Sequence, residues 1–363
     1  MSQQKITARQ AFLIIVTVVS TSVLQPNFRG FLRWAGNGAW LPLILATGFG
    51  IVFVWLVLSL AERFPKQSVA EYAPRVLSPF LGYPLVLLLV TLSFLRGAFA
   101  LRNVSEFFVA AILPETPISA VIITMLILVA CAIWSNLEGI SRFNELAMPI
   151  ILLSFLLVLL GTQRLNAWYL LPAMNRGFRG LVPVFRSAGS DLAIVSYMLF
   201  IYPFLVDPQN ASRLGRSYIA KAGLLLLLIY MNTLLFLGSS MGATFTWPYL
   251  VVTENISLVS RGEALFIVVW TLAAFLKISF CLYIAALGLS QLIPRLPLRW
   301  AGLVLLPLAS YVALRPGDLP SAIAAYAAYN QTGLYAELGI TTIILTVAIL
   351  RKMGGGSREQ SSD

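Results

Sequence analysis

The segment GSDLAIVSYMLFIYPFLVDP, residues Gly189–Pro208, decides the fold because it is apolar enough to enter a lipid bilayer. Only 15 uncharged residues lie between Asp191 and Asp207, fewer than the roughly 20 that a straight transmembrane helix needs. Pro203 also removes a backbone hydrogen-bond donor. We interpret the segment as a broken membrane helix, which commonly marks the substrate site of transporters built from two repeats. The alternative is an ordinary proline-kinked helix with a short hydrophobic core.

The composition predicts a protein that crosses the lipid bilayer many times. Of 363 residues, 59% are hydrophobic and 11% are charged, which excludes a soluble domain of this size. The net charge is +11, but the basic residues are dispersed at loop ends, so we expect no nucleic-acid partner. Histidine is absent, which excludes histidine-dependent catalytic and zinc sites. We therefore predict no enzyme activity, no metal site and no cofactor.

The apolar segments predict ten transmembrane helices. Their expected bounds are Gln10–Leu24, Gly38–Ala61, Pro84–Leu113, Ile118–Trp134, Met148–Gly161, the opening segment, Ala222–Gly238, Ala264–Ile293, Trp300–Leu314 and a last helix from near Tyr335 to Leu350. A short helix is expected at Val69–Leu77, and a Gly/Ser-rich tail at 351–363 is expected to be disordered. Lysine and arginine are more frequent in the loops that lie on the same side of the membrane as the N-terminus, which predicts that both termini lie inside.

The ten spans are expected to form two five-helix repeats, at 10–161 and 184–350, joined by a polar connector at 162–183. An odd number of spans in each half places the halves in opposite membrane orientations, as in many transporters. Phe94–Leu101 in the third span aligns with Phe275–Leu282 in the eighth, with four of eight positions identical. In this alignment Arg96 lies opposite Lys277.

Lys277 lies near the middle of the eighth span, where a charge normally faces a cavity or a partner. Three roles fit: replacement of a bound cation, contact with a substrate carboxylate, or a structural bond to unwound carbonyls of spans one or six. Arg96 is interpreted in the same way, as a cation-substituting or a structural charge. Arg102 and Glu106 are four residues apart, so we expect them to pair with each other.

Several small or hydroxyl-bearing residues are candidate ligand contacts. Ser279 and Tyr283 lie one helical turn apart, where they fit either ligand binding or interhelical hydrogen bonds. The Ser-Thr-Ser sequence in the first span either exposes backbone amides to a carboxylate or allows close packing. The candidates in the two broken spans are Ser20, Thr21, Ser22, Ser196 and Tyr197.

A series of short motifs resembles one known family over about residues 5–350. The motifs are Ala61–Pro65 (AERFP), Ser68–Tyr72 (SVAEY), Leu113–Pro117 (LPETP), Leu170–Pro172 (LLP), Val206–Pro208 (VDP) and Phe275–Ser279 (FLKIS). Their order and spacing resemble the B subunit of spore germinant receptors. This is the GerAB-type spore germination permease family of the amino acid–polyamine–organocation (APC) superfamily.

The resemblance implies an all-α, LeuT/APC-like fold with spans 1 and 6 discontinuous, in the inner membrane of a bacterial endospore. It implies a small-molecule germinant, often an amino acid, and A-type and C-type receptor subunits as partners. The positions that match the family's ligand site are Ser22, Gly97, Tyr197, Ser279 and Tyr283. The chain departs from the family where Ser187–Asp191 replaces a frequent glutamate, so a different ligand is expected. An APC-type amino-acid/cation transporter, with Lys277 in place of a coupling cation, is the alternative.

Overall fold

The computed structural model describes residues 5–256 and 262–354, apart from the side chains of Pro26 and Asn27. These described residues form helices and loops without any β-strand, which confirms the predicted all-helical membrane protein. Residues 351–354 of the predicted tail include Met353, whose carbonyl accepts a hydrogen bond from Arg63 at 3.4 Å. The remainder of that tail, 355–363, lies outside the described residues.

We number the long apolar helices of the described residues as spans 1 to 10, following the sequence prediction. They are span 1 (Ala8–Ser20, Thr21–Leu24 and Pro26–Trp34), span 2 (Trp40–Ala61), span 3 (Pro79–Ala111), span 4 (Ile118–Trp134), span 5 (Asn136–Gly161), span 6 (Phe178–Phe204), span 7 (Ala211–Gly242), span 8 (Gly262–Leu292), span 9 (Leu298–Leu314) and span 10 (Leu319–Leu350). Seven are long and apolar enough to cross a membrane, the bent span 1 makes an eighth, and spans 4 and 9 are apolar helices of 17 residues.

Span 1 is broken, and its two halves are bent by 59°. The first half begins with a capping box in which Thr7 and Gln10 satisfy each other's backbone N–H groups. It tightens into a 3-10 turn at Thr21–Leu24, and Pro26 then begins the second half. Proline suits a first helical position because it has no N–H to leave unpaired.

Span 6 is one helical segment that changes from α-helix to 3-10 helix in its middle, and its boundaries differ from those inferred from the sequence. The helix begins at Phe178, inside the residues expected to form the connector, and a 3-10 stretch at Ala193–Tyr197 interrupts it. Asp191 therefore lies within the span rather than at its end. The expected bounds differ because a length rule for lipid-facing helices was applied to a span whose most apolar part is mostly buried by protein.

The two halves repeat the same order of elements. A short helix follows the second span of each half, Val69–Leu77 in the first and Pro248–Glu254 in the second. Spans 3 and 8, the central helices of the two halves, pack directly on each other. At their contact the Ser93 hydroxyl donates to the Cys281 carbonyl at 2.8 Å. A β-carbon at Gly97 would lie 3.0 Å from Leu282, so glycine permits this close approach.

The residues before span 1 are bonded to the residues after span 6. The Ile6 N–H donates to the Phe204 carbonyl at 3.1 Å, and the Val206 N–H donates to the Ile6 carbonyl at 2.9 Å. The Asp207 carboxylate accepts from the Ala8 N–H at 2.7 Å, which satisfies a free donor at the first turn of span 1. Spans 1 and 6 are thus joined at one end.

Candidate functional site

Arg96 of span 3 is buried in a network in which every nitrogen of its guanidinium group donates a hydrogen bond. Its Nη2 donates to both Glu337 oxygens at 3.0 and 3.2 Å, Nη1 to the Ser190 carbonyl at 2.9 Å, and Nε to the Tyr197 hydroxyl at 3.2 Å. The Tyr197 hydroxyl donates in turn to Glu337 at 3.1 Å. Arg96 also lies over the Tyr329 ring, 5.5 Å from its centroid. The network joins spans 3, 6 and 10 and leaves no charge on Arg96 unmatched.

A second pair of buried charges, Asp191 of span 6 and Lys277 of span 8, has no such partners. Asp191 is 2% exposed and Lys277 is 1% exposed. Among residues 5–256 and 262–354, neither Asp191 oxygen nor the Lys277 Nζ has a hydrogen-bond partner. The two groups lie within electrostatic range of each other, but they do not form a direct ion pair.

This charge pair lies beside the 3-10 turns of spans 1 and 6. Asp191 lies just before the 3-10 stretch of span 6. The Ser22 hydroxyl, in the 3-10 turn of span 1, is the hydrogen-bonding neighbour of the Asp191 carboxylate, although it does not reach it at full hydrogen-bond distance. Across from them, the Trp270 indole on the same face of span 8 as Lys277 donates to the Thr21 carbonyl at 3.2 Å. We call Ser22, Asp191 and Lys277 the central polar site.

Span 10 closes one side of the central polar site. The Tyr326 hydroxyl, which lies within electrostatic range of Asp191, donates to Gln25 at 2.6 Å. Asn330 accepts from the Ser190 hydroxyl at 3.2 Å, while its own Nδ2 has no partner within the described residues. All these side chains are buried, so the site is closed to solvent in this conformation.

The predicted residues of span 1 divide into two groups. The Ser20 hydroxyl donates to the Thr17 carbonyl and the Thr21 hydroxyl to the Val18 carbonyl, each at 2.7 Å. Their hydroxyls are thus used within their own helix. Ser22 alone of the three directs an unpaired hydroxyl towards Asp191.

The other predicted residues are buried, but they do not all lie at the central polar site. Tyr197 belongs to the Arg96 network, and Gly97 lies at the packed contact between spans 3 and 8. Ser279 lies two residues from Lys277, about 200° around the helix, so the face that carries Ser279 and Tyr283 points away from the lysine. Ser196 and Ser279 are buried with hydroxyls that lack partners among the described residues. The predicted pairing of Arg102 with Glu106 is confirmed.

The sequence analysis did not predict the two buried carboxylates of these clusters. Asp191 was read as the end of a span, and Glu337 was not considered. A usable signal was present for both, because a carboxylate within an apolar run is costly in a membrane and needs a cation nearby. Arg96 and Lys277 provided two candidate cations.

Comparisons with known proteins agree with this architecture. The profile of a family described as "Spore germination protein" matches residues 5–316. Spore germination protein YndE of Bacillus subtilis (strain 168) is 23% identical over 361 residues, which cover 96% of this chain and 98% of the relative. Spore germination protein KB of the same organism is 22% identical, with 80% of each chain covered.

Among solved structures, the chain is similar to Mhp1, a nucleobase-cation-symport-1 family transporter in a closed conformation with bromovinylhydantoin bound. The TM-score is 0.68 with 14% identity, and the match covers 97% of this chain and 82% of Mhp1. This likeness confirms the predicted LeuT/APC-like fold. The family and the fold are those of permeases and transporters rather than of an enzyme family.

Proposed function

The chain belongs to the spore germination protein family, and from that premise we propose that it is the nutrient-sensing subunit of a germinant receptor. It binds a small germinant, expected to be an amino acid, at the central polar site near the bilayer midplane. It acts in the inner membrane of the spore, with A-type and C-type receptor subunits as partners and both termini inside. The names of its relatives and the distribution of loop lysines and arginines support this proposal.

The observation that carries the proposal is the set of buried polar groups without partners where spans 1, 6 and 8 meet. A buried polar atom without a hydrogen bond costs free energy, and a buried charge costs more. Ser22, Asp191 and Lys277 are all in this condition within the described residues. Such groups are expected where a polar ligand completes the site.

Ligand-dependent thermal stabilisation of the purified full-length protein tests the proposal. Amino acids, sugars and nucleosides would be screened, and a compound at 100 times its Kd should stabilise the fold by about 2.7 kcal/mol. We expect at least one nutrient to raise the melting temperature. The Asp191→Asn variant should lose this response. The matched Glu106→Gln variant, which neutralises a carboxylate outside the site, should retain it. If none of the compounds raises the melting temperature, the proposal is wrong.

An APC-type amino-acid/cation transporter is the second candidate, favoured by the similarity of fold to the symporter Mhp1. The two functions share a binding site and differ in whether the bound compound crosses the membrane. Uptake of the stabilising compound into proteoliposomes separates them. Accumulation driven by an ion gradient would support the transporter, whereas binding without accumulation would support the receptor subunit.

A further inference from the structure

The end of span 4 and the start of span 9 enclose an open groove that contains none of the residues of the central polar site. Its volume is about 510 Å³, and the residues that line it are Trp134, Arg299, Trp300 and Leu303. The two helices pack closely beside the groove, because a β-carbon at Gly302 would lie 2.9 Å from the Ile133 side chain. The groove is therefore a fixed feature of the contact between spans 4 and 9.

Arg299 brings a positive charge to this groove. Its side chain is exposed and forms no ion pair with any residue of the ranges 5–256 and 262–354. Arg295, in the turn between spans 8 and 9, is likewise exposed and without an ion pair in those ranges. A guanidinium group donates two parallel hydrogen bonds to a phosphate group, which makes an unpaired arginine well suited to bind one.

The walls of the groove continue along both helices as stripes of exposed apolar side chains. The members of each stripe follow one another at intervals of three or four residues, which places them on one face of an α-helix. On span 9 they are Trp300, Val304, Leu308 and Tyr311, and on span 4 they are Trp134, Cys131, Ile127 and Ile123. The groove thus has a charged end and two apolar tracks that lead away from it.

We propose that this groove binds an anionic phospholipid, whose phosphate group is bound by Arg299 and whose acyl chains lie along the apolar stripes. Tryptophan side chains favour the interface between membrane and water, so Trp134 and Trp300 place the arginine at the depth of the lipid headgroups. Basic pockets between transmembrane helices are the kind of site that binds anionic headgroups. A soluble phosphate compound would contact the arginine and leave the apolar stripes unused, which is why a lipid is the better fit.

Two lipids that share their acyl chains test the proposal. The full-length protein in a non-ionic detergent is titrated with dioleoylphosphatidylglycerol, which is anionic, and with dioleoylphosphatidylcholine, in which the choline cation cancels the charge of the phosphate. Native mass spectrometry measures the fraction of protein that carries a lipid. A basic residue at the membrane surface favours an anionic lipid about fivefold, so we expect phosphatidylglycerol to bind about fivefold more tightly. Equal binding of the two lipids would overturn the proposal.

Three variants then assign the preference to the groove. Arg299→Gln should remove most of the preference for phosphatidylglycerol, whereas Arg299→Lys should retain it because the charge remains. The matched variant Arg315→Gln, which removes an exposed arginine from the opposite end of span 9, should leave the preference unchanged. Each ratio is measured within one variant, and cooperative melting shows that the variant is folded. If Arg299→Gln keeps the preference, or if Arg315→Gln lowers it equally, the proposal is wrong.

Inorganic phosphate separates a lipid site from a site for a free anion. Phosphate added at the concentration of the lipid should displace no phosphatidylglycerol, because it makes no contact with the apolar stripes. Displacement at that concentration would show that the groove binds a free anion, which would overturn the proposal. None of these results depends on whether the central polar site binds a nutrient, so this inference and the proposed function stand or fail separately.

Discussion

Two groups of buried charges lie side by side in the helical bundle and differ in how they are satisfied. Arg96 has hydrogen bonds from each guanidinium nitrogen and a direct ion pair with Glu337. Asp191 and Lys277 are equally buried, yet they lack both kinds of contact within the described residues. Burial alone therefore does not distinguish these two groups of charges. They differ in the number of donors and acceptors that have partners.

The contrast also bears on the inverted repeat. Arg96 and Lys277 occupy aligned positions in spans 3 and 8. Arg96 forms an ion pair with Glu337 of span 10, whereas Lys277 lies near Asp191 without contacting it directly. The two aligned positions thus have different surroundings: Arg96 holds spans 3, 6 and 10 together, and we propose that Lys277 binds the ligand.

The largest effect is expected from Glu337→Gln. This change leaves the buried Arg96 without its ion-pair partner, and breaking a buried pair in this way costs about 3–5 kcal/mol. Equilibrium unfolding in detergent micelles should show a loss of that size. The double variant Arg96→Met/Glu337→Met should recover most of the stability, because no charge is then left unmatched. A loss below about 1 kcal/mol in the single variant would contradict the structural role.

A change of opposite sign is expected from the double variant Asp191→Leu/Lys277→Met. Replacing buried charges by apolar side chains is neutral or stabilises a protein by about 1–4 kcal/mol. The ligand-free protein should therefore gain stability, while stabilisation by the nutrient disappears. Unfolding with and without the stabilising compound measures both effects. If the ligand-free double variant is instead destabilised as strongly as Glu337→Gln, Asp191 and Lys277 stabilise the fold in the same way as the Arg96 network, which would contradict the comparison.

The smallest effect is expected at an exposed pair, which sets the baseline for the comparison. Arg142 and Glu138 form an i,i+4 ion pair on span 5 with side chains 71% and 40% exposed. Exposed pairs of this kind contribute about 0.3–0.5 kcal/mol. Glu138→Gln should lower the free energy of unfolding by no more than that, and the difference should vanish at high salt. A salt-independent loss above about 1 kcal/mol would mean that a surface pair behaves like the buried network.

Much of the fold could be predicted because it depends on hydrophobicity along the chain. Ile118–Trp134 and Val69–Leu77 have the bounds expected from the sequence. Spans 5, 7 and 10 begin at Asn136, Ala211 and Leu319, well before their apolar stretches. Their first turns contain polar residues, which lower the hydropathy by which a membrane helix is recognised.

The candidate site was less predictable because it depends on which faces of distant helices meet. Lys277 was singled out from its depth alone, but its neighbour Asp191 is 86 residues away along the chain. The pairing of Arg96 with Glu337 joins residues 241 positions apart. Hydroxyl residues such as Ser20 and Ser22 look alike in sequence, and only the local helix geometry shows which hydroxyl is already used.

The link between Ile6 and the end of span 6 limits how the site can open. Two main-chain hydrogen bonds and the Asp207 carboxylate join the start of span 1 to the end of span 6, from Phe204 to Asp207. These bonds hold spans 1 and 6 together as one unit at this end. Opening a passage between spans 1 and 6 at this end would require these three bonds to break. Tilting the two spans together away from spans 3, 8 and 10 would leave all three bonds intact.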